Sequence, residues 1–221
     1  MPITAHVAPP PVSLIVATPA APARAATSRR KRAFDIAVAA LALFAFLPLL
    51  VLIGAAVWME SDGPILFRQQ RTGLNGKPFR IYKFRTMTVM EDGDGVRQAV
   101  RGDARVTPLG GLLRKLSLDE LPQLLNVLKG EMSIVGPRPH ALSHDVTWSR
   151  RVPGYADRFR VRPGLTGQAQ VMGYRGEVAN DEGLIQRIGA DNAYIDGWSF
   201  TRDLALVART VPLLFGDAQA F

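Results

Sequence analysis

Cysteine is absent from the 221 residues. That rules out disulfides, thiolate-held zinc and a cysteine nucleophile, and it leaves no mark of an oxidising compartment. Histidine is scarce, with only His6, His140 and His144, so a Ser-His-Asp triad has few candidates. No Gly-x-Ser-x-Gly elbow, P-loop or complete dinucleotide fingerprint is found. His140 and His144 are spaced for one helical face, but two ligands do not make a metal site. Acidic residues are outnumbered, 19 against 27 lysines and arginines, giving a net charge of +8 and a pI of about 10.4. That balance asks for an anionic partner: phosphorylated substrate, anionic lipid or nucleic acid. A chain of this length buries one ordinary core, so one main domain is expected.

Long apolar runs are also few, and the single one present organises the N-terminal part. Residues 1–28 are rich in Ala and Pro, lack a sustained period and begin without a basic n-region. They read as a disordered tail rather than a signal peptide. Arg29-Arg30-Lys31-Arg32 then leads into Phe34 to Trp58, whose only ionisable residue is Asp35 at its edge. As a helix this run reaches about 37 Å, enough for a bilayer core of about 30 Å. Pro48 in its middle removes a backbone bond and clashes with the preceding turn, so a kink or break is expected there. Basic residues flank both ends, which favours a helix that enters the membrane and turns back, whereas a simple span has the higher base rate.

Residues 65–72 and 78–84 read as strands joined through Asn75-Gly76, a hairpin signal. The second, Phe79 to Arg85, interleaves aromatic and basic residues. It reads either as a nucleic-acid platform or as a strand with one packed and one solvated face. Residues 88–103 form an acidic, Gly-rich loop. Residues 109–116 and 120–128 have helical apolar spacing, and 132–135 is a short buried strand before the rigid Gly136-Pro137-Arg138-Pro139 turn. Arg158-Phe159-Arg160-Val161-Arg162 concentrates cations ahead of another turn. Residues 203–215 put Leu204, Val207, Ala208, Val211 and Phe215 on one face, for a core or for a membrane interface.

The chemistry centres on Leu118-Asp119-Glu120-Leu121-Pro122. Two adjacent carboxylates stand at a helix start, with Arg114 and Lys115 just before them and Arg138 a short helix later. With Asp119 as N-cap, Pro122 falls in the first turn, where its missing N–H costs little and leaves the carboxylate only partly occupied. Like charge hinders joint ionisation of the pair, while the helix dipole and nearby cations favour it. On those letters alone the pair reads as ordinary dipole complements.

Context changes that reading. Lys31-Arg32-Phe34-Asp35, Phe67-Arg68-Gln69-Gln70-Arg71, Lys83-Phe84-Arg85-Thr86-Met87 and Arg105 to Gly110 come in order. They are followed by Asp119-Glu120-Leu121-Pro122-Gln123, Asn126 to Pro139 and Arg162-Pro163-Gly164-Leu165-Thr166-Gly167. Together these motifs resemble the bacterial sugar transferases, the monotopic phosphoglycosyl transferases that load a sugar phosphate onto a polyprenyl phosphate. The resemblance covers about Lys31 to Val211.

It implies an α+β fold. Residues 29–60 would be a re-entrant membrane helix broken at Pro48, and 61–221 a mainly helical cytosolic domain with a β-hairpin and amphipathic interfacial helices. This sequence has Leu47 where the family often has Ser. The resemblance further implies Asp119 and Glu120 as the catalytic dyad and as magnesium ligands. Phosphate would be bound by Arg114 and Arg138, joined by Lys83, Arg85 and Arg162. The implied partners are a UDP-sugar, with UDP-glucose or UDP-galactose favoured by the Gly173-Tyr174 and Tyr194-to-Ser199 stretches, undecaprenyl phosphate, membrane lipid and, as an option, a second copy of the chain. Nucleic acid is not among them. The place implied is the cytoplasmic face of a bacterial inner membrane. A competing reading is a single-pass anchor carrying a basic domain that binds nucleic acid or an acidic polymer.

Overall fold

The computed structural model describes residues 21–88, 100, 102–174, 176 and 180–216. Residues 1–20 of the tail, most of the acidic loop and Arg175 and Glu177 lie outside them, as does the side chain of Phe215.

Chain order is α1 (Arg24–Thr27), α2 (Arg29–Glu60), β1 (Leu66–Thr72), β2 (Pro78–Phe84), α3 (Pro108–Lys115), α4 (Gln123–Lys129) and β3 (Ser133–Val135). There follow α5 (Leu142–Ser149), β4 (Gly164–Thr166), α6 (Gln168–Val171), α7 (Asp181–Asp196) and α8 (Phe200–Gly216). The fold is mixed and mainly helical, with two small two-stranded sheets.

Antiparallel β1 and β2 pair from Leu66 with Phe84 to Thr72 with Pro78. Their turn uses Asn75 at φ 56°, a left-handed conformation that asparagine tolerates better than most residues. Phe79 and Ile81, on one face of β2, are buried in the main core while Arg80 on the other is exposed; Phe84, at the strand's end on the Arg80 side, packs into a second cluster with Leu113. Tyr82 is covered by Arg68, 5.6 Å from the ring centroid, and Lys129, at 4.5 Å. On the outer edge of β2 the buried Asn126 acts as a substitute strand. Its Nδ2 donates to the Arg80 carbonyl at 2.7 Å and its Oδ1 accepts from the Tyr82 N–H at 3.0 Å. Edge groups that would otherwise be orphaned are thereby paired, and α4 is fixed against the hairpin.

The second sheet departs from the sequence reading. Just after the cation-rich Arg158-to-Arg162 stretch, where only a turn is expected, Gly164–Thr166 is a strand parallel to β3. A Cβ at Gly164 would collide with the backbone of Gly136, so only glycine permits this approach. The tail boundary also moves. Ala23 and Ala25 are buried in the main core, and the Ala23 N–H donates to the Arg160 carbonyl at 3.0 Å. The packed chain therefore begins before residue 29.

α2 is long and apolar enough to cross a membrane. It runs through Pro48 as one assigned helix, so the expected division into two is not seen. Packing nonetheless separates its ends. Phe34, Val38, Ala39, Ala42 and Leu43 join the main core with Leu124, Val127 and Met132. Leu49, Leu50, Ile53 and Val57 join a second cluster with Phe84 and Leu113. Between them Phe44 to Pro48 are exposed at five consecutive positions, more than one full turn, with Phe44 at 78%. Both ends are also hydrogen-bonded to the domain. Arg32 donates to the Val127 and Leu128 carbonyls at 2.6 and 2.8 Å, satisfying the C-terminus of α4, while Glu60 accepts from the Leu109 N–H at 2.7 Å.

α8 buries Asp203 and Leu206 and leaves Leu204, Ala208 and Val211 exposed. Of the stripe expected on one face, Val207 packs against the core and those three do not.

Candidate active site

Three local features set the acidic pair. Thr107 caps α3, accepting from the Gly110 N–H at 2.9 Å with Pro108 at the first helical position. α3 then lies close on the Thr86 backbone: a Cβ at Gly110 would sit 2.7 Å from the Thr86 Cα. Ser117, at φ 57°, stops α3 in a left-handed conformation that costs a non-glycine residue about 1–2 kcal/mol. The chain turns at once into a 3₁₀ segment, Leu118–Glu120, and α4 starts at Gln123 with Pro122 as its N-cap. Asp119 is therefore not an N-cap as expected. It stands one turn earlier, and no side chain caps α4.

The two carboxylates have different surroundings. Glu120 accepts from Lys83 Nζ at 2.7 Å and from Arg138 Nη1 and Nη2 at 2.9 and 2.5 Å, a bidentate clamp. Burial raises its pKa, but Arg138 and then Lys83 more than offset this and hold it well below the usual range. Asp119 is only 6% exposed, and among the described residues its sole ion-pair partner is Lys83, at 4.0 Å. No hydrogen bond to its side chain is present among those residues. Burial first, and the Glu120 charge after it, push its pKa up to about 6, against the pull of Lys83, Arg114 and Arg138. Lys83 is pulled down by burial, while Glu120 holds it up. The result is one carboxylate locked as an anion and a second, buried and unengaged, ringed by cations.

Arg114 is aimed from below. Its Nε donates to Thr86 Oγ1 at 3.0 Å and its Nη2 contacts Met87 Sδ at 3.2 Å. The Arg138 turn is held by the buried Arg158, whose Nη2 donates to the Arg138 carbonyl at 2.5 Å and whose Nε donates to Asp191 Oδ2 at 2.9 Å. Arg158 is thus a structural cation, not part of a solvated basic face. Beneath it, Tyr155 donates to Asp145 at 2.5 Å and meets His140 Nδ1 at 2.7 Å. His140 precedes α5 and His144 lies within it, so the two do not share a helix. Among the described residues no group of three or more His, Cys, Asp or Glu is placed to hold a metal.

Of the residues expected at the site, Asp119, Glu120, Lys83, Arg114 and Arg138 are brought together. Arg85 and Arg162 are not. Arg85 is buried with its donors on the carbonyls of Val57, Ser61 and Pro64, closing the end of α2. Arg162 donates to the carbonyls of Gly130 and Ala26 at 2.9 and 3.0 Å. Both were placed among phosphate binders because a cation in a motif looks the same whether it meets an anion or a carbonyl. Thr86, Met87 and Arg158 were missed. The first two sit in a quoted motif, and only their contact with Arg114 reveals their part.

A family model described as bacterial sugar transferase matches residues 26–217. The chain belongs to that family. It is therefore an enzyme of the sugar-transferase type, and the binding-protein reading falls away. Among similar curated proteins is a UDP-glucose:undecaprenyl-phosphate glucose-1-phosphate transferase of Caulobacter vibrioides, 54% identical over 96% of this chain and 80% of that protein. A protein of the same description from Klebsiella pneumoniae is 50% identical over 86% of this chain but only 41% of its own length. The exopolysaccharide production protein PSS of Rhizobium leguminosarum is 42% identical over 82% of the chain and 92% of that protein. This sugar transferase thus spans most of two of these relatives and about two fifths of the third.

Proposed function

We propose that the protein transfers a hexose-1-phosphate, glucose first among the candidates, from its UDP-sugar to undecaprenyl phosphate, opening the synthesis of an exopolysaccharide or other surface glycan. The observation that carries the mechanism is the asymmetry of the pair. Asp119 is buried, has no hydrogen bond to its carboxylate among the described residues and sits among Lys83, Arg114 and Arg138, while Glu120 is fixed between Lys83 and Arg138.

An Asp119 carboxylate oxygen attacks the β-phosphorus of the UDP-sugar and the bond to the UMP oxygen breaks. UMP leaves with the electron pair, and the sugar phosphate remains as an acyl phosphate on Asp119. The phosphate oxygen of the lipid then attacks the same phosphorus, and the Asp119 carboxylate is released. Arg114 and Arg138 lie where charge gathers on the phosphoryl oxygens. Glu120 keeps Lys83 and Arg138 in place.

Magnesium suits this site in part. It is commonly held by one or two carboxylates together with substrate phosphates and water, and Asp119 has the available oxygens, whereas both oxygens of Glu120 are engaged. Bound beside Asp119 and the diphosphate, it would neutralise charge on the phosphates. In this reading Glu120 serves to position Lys83 and Arg138, and Asp119 is the metal ligand.

The membrane arrangement belongs to the same reading. Both ends of α2 are tied to one domain, and between them the run from Phe44 to Pro48 is exposed at every position. A helix that dips into the cytoplasmic leaflet and returns meets this, and it brings Asp119 to the lipid phosphate and the nucleotide sugar together. With no native cysteine, Thr27→Cys and Asp62→Cys each carry one exposed thiol. Both are expected to resist an impermeant maleimide in spheroplasts, and labelling of Asp62→Cys from outside would mean a span.

The chemical test is mass spectrometry of protein incubated with UDP-glucose and no lipid. One hexose phosphate on Asp119 is expected. Sugar transfer by a protein that never carries the adduct would sink the two-step mechanism.

A further inference from the structure

The Gly136-Pro137-Arg138-Pro139 turn hands its backbone groups to several different elements. The Gly136 N–H donates to the Thr166 carbonyl at 2.8 Å and the Pro137 carbonyl accepts from the Gly164 N–H at 2.9 Å, which ties the turn to β4. The Arg138 carbonyl is held by Arg158, and through it by Asp191 of α7. The Pro139 carbonyl accepts from Arg71 Nη1 at 3.2 Å. Of these four partners only Arg71 belongs to the hairpin that carries Lys83.

Arg71 is anchored on both sides of that contact. In β1 it stands opposite Phe79 of β2, and its backbone bridges to Ala141 just past the turn. Its Nη2 donates to Oε1 of the buried Gln69, two residues back on β1. One arm of the guanidinium therefore grips the turn and the other grips its own strand. Next to it Thr72 Oγ1 donates to Asp145 Oδ2 at 2.5 Å, so the same end of β1 is also joined to α5.

The site needs such a brace. Lys83 and Arg138 come from separate parts of the chain and repel each other as like charges, yet both must meet Glu120, at 2.7 and 2.9 Å. A hydrogen bond to the carbonyl next to Arg138 fixes the turn relative to the hairpin at the level of the backbone. A planar fork makes both contacts at once, which the single ammonium of a lysine does not reproduce.

We infer that Arg71 is a positioning residue: by joining the hairpin to the Pro139 carbonyl it sets Arg138 against Lys83 on Glu120, beside Asp119. What this does for catalysis rests on the reaction proposed above, whereas the tie itself does not.

The full chain in nanodiscs, as wild type, Arg71→Met, Arg71→Lys, Arg138→Met and the double variant Arg71→Met/Arg138→Met, tests both. Hydrogen exchange read by mass spectrometry on peptides covering residues 138–142 reports the tie. In Arg71→Met these amides should exchange roughly tenfold faster, with those of α7 unchanged. UMP release from UDP-glucose reports the consequence. Arg71→Met is expected to lower kcat roughly 10- to 100-fold and to raise KM by less, because Arg138 acts on charge that develops in the transition state. In the Arg138→Met background the same substitution should cost less than about twofold, since a residue that acts through Arg138 has nothing left to position. Arg71→Lys keeps the charge without the fork and recovers only part of either loss. Unchanged exchange at 138–142 overturns the inference. So do equal losses from Arg71→Met with and without Arg138, the mark of a general loss of stability, and full recovery by Arg71→Lys, the mark of charge alone. A wild type that binds UDP but releases no UMP from UDP-sugars sinks the reaction proposed above, while the exchange measurement still decides on the tie.

Discussion

Two of the buried charged clusters among the described residues are finished to different degrees. In the first, Lys31 Nζ meets Asp203 Oδ2 at 2.7 Å, and Asp203 also accepts from Tyr194 and Trp198 at 2.7 and 3.0 Å. Beside it Asp35 accepts from Ser133 Oγ and from the Ile134 N–H, at 2.8 and 3.0 Å. Both carboxylates there have every oxygen engaged. This cluster fastens the start of α2 to β3 and α8. In the second, Glu120 is as fully engaged, but its neighbour Asp119 is buried with no hydrogen bond. Burying a carboxylate this way is unfavourable unless something else is gained. A satisfied cluster holds the fold together, and an unsatisfied one among cations is arranged for chemistry.

The widest separation between the clusters should come from removing their charges. Asp119→Asn is expected to lose activity by a thousandfold or more, on the order of 4 kcal/mol in barrier, while remaining folded. Radiolabel transfer and circular dichroism on the same sample check this, and a variant keeping a tenth of wild-type turnover would remove Asp119 as nucleophile. Asp203→Ala should do the reverse. Stranding the Lys31 ammonium in the core is expected to remove about 3–5 kcal/mol of stability, measured by urea melts in detergent. A loss below 1 kcal/mol would show that the first cluster is not structural.

A smaller difference is expected with pH. Because the folded pKa of Asp119 is raised to about 6 above an ordinary 3.8, the folded chain binds the extra proton between these values. That contribution to stability is present at low pH and is lost as pH rises through about 6. In metal-free buffer Asp119→Asn should therefore be more stable than wild type by on the order of 2 kcal/mol at pH 7.5 and equal to it near pH 4. A gain of the same size at both pH values would mean that burial of the charge is not the cause. Least of all, Ser117→Gly relieves a left-handed serine and should raise stability by at most about 1 kcal/mol. If activity then falls sharply with the fold intact, the stiffness of that turn matters to Asp119.

Much of this was legible in the chain itself. The long apolar run, the Asn75-Gly76 hairpin and the short helices around Asp119 follow from period and turn chemistry, whereas Asp119, Glu120 and Arg138 are singled out only by the family resemblance. The first three are local, set by residues a few positions apart. The parallel strand at Gly164, the packing of Ala23 and Ala25, and the carbonyl partners of Arg85 and Arg162 depend on residues 21 to 137 positions away, so no local pattern marks them. The unbroken assignment of α2 through Pro48 is of the same kind, because packing of both flanks on one domain outweighs the local penalty of the proline. Most of all, adjacent acidic letters are equivalent in sequence, and only the folded chain decides which is clamped and which is free to react. Lys83 and Arg138 converge on Glu120 from β2 and from the Pro-rich turn, and the left-handed Ser117 starts a 3₁₀ segment that leaves Asp119 ahead of the α4 N-cap.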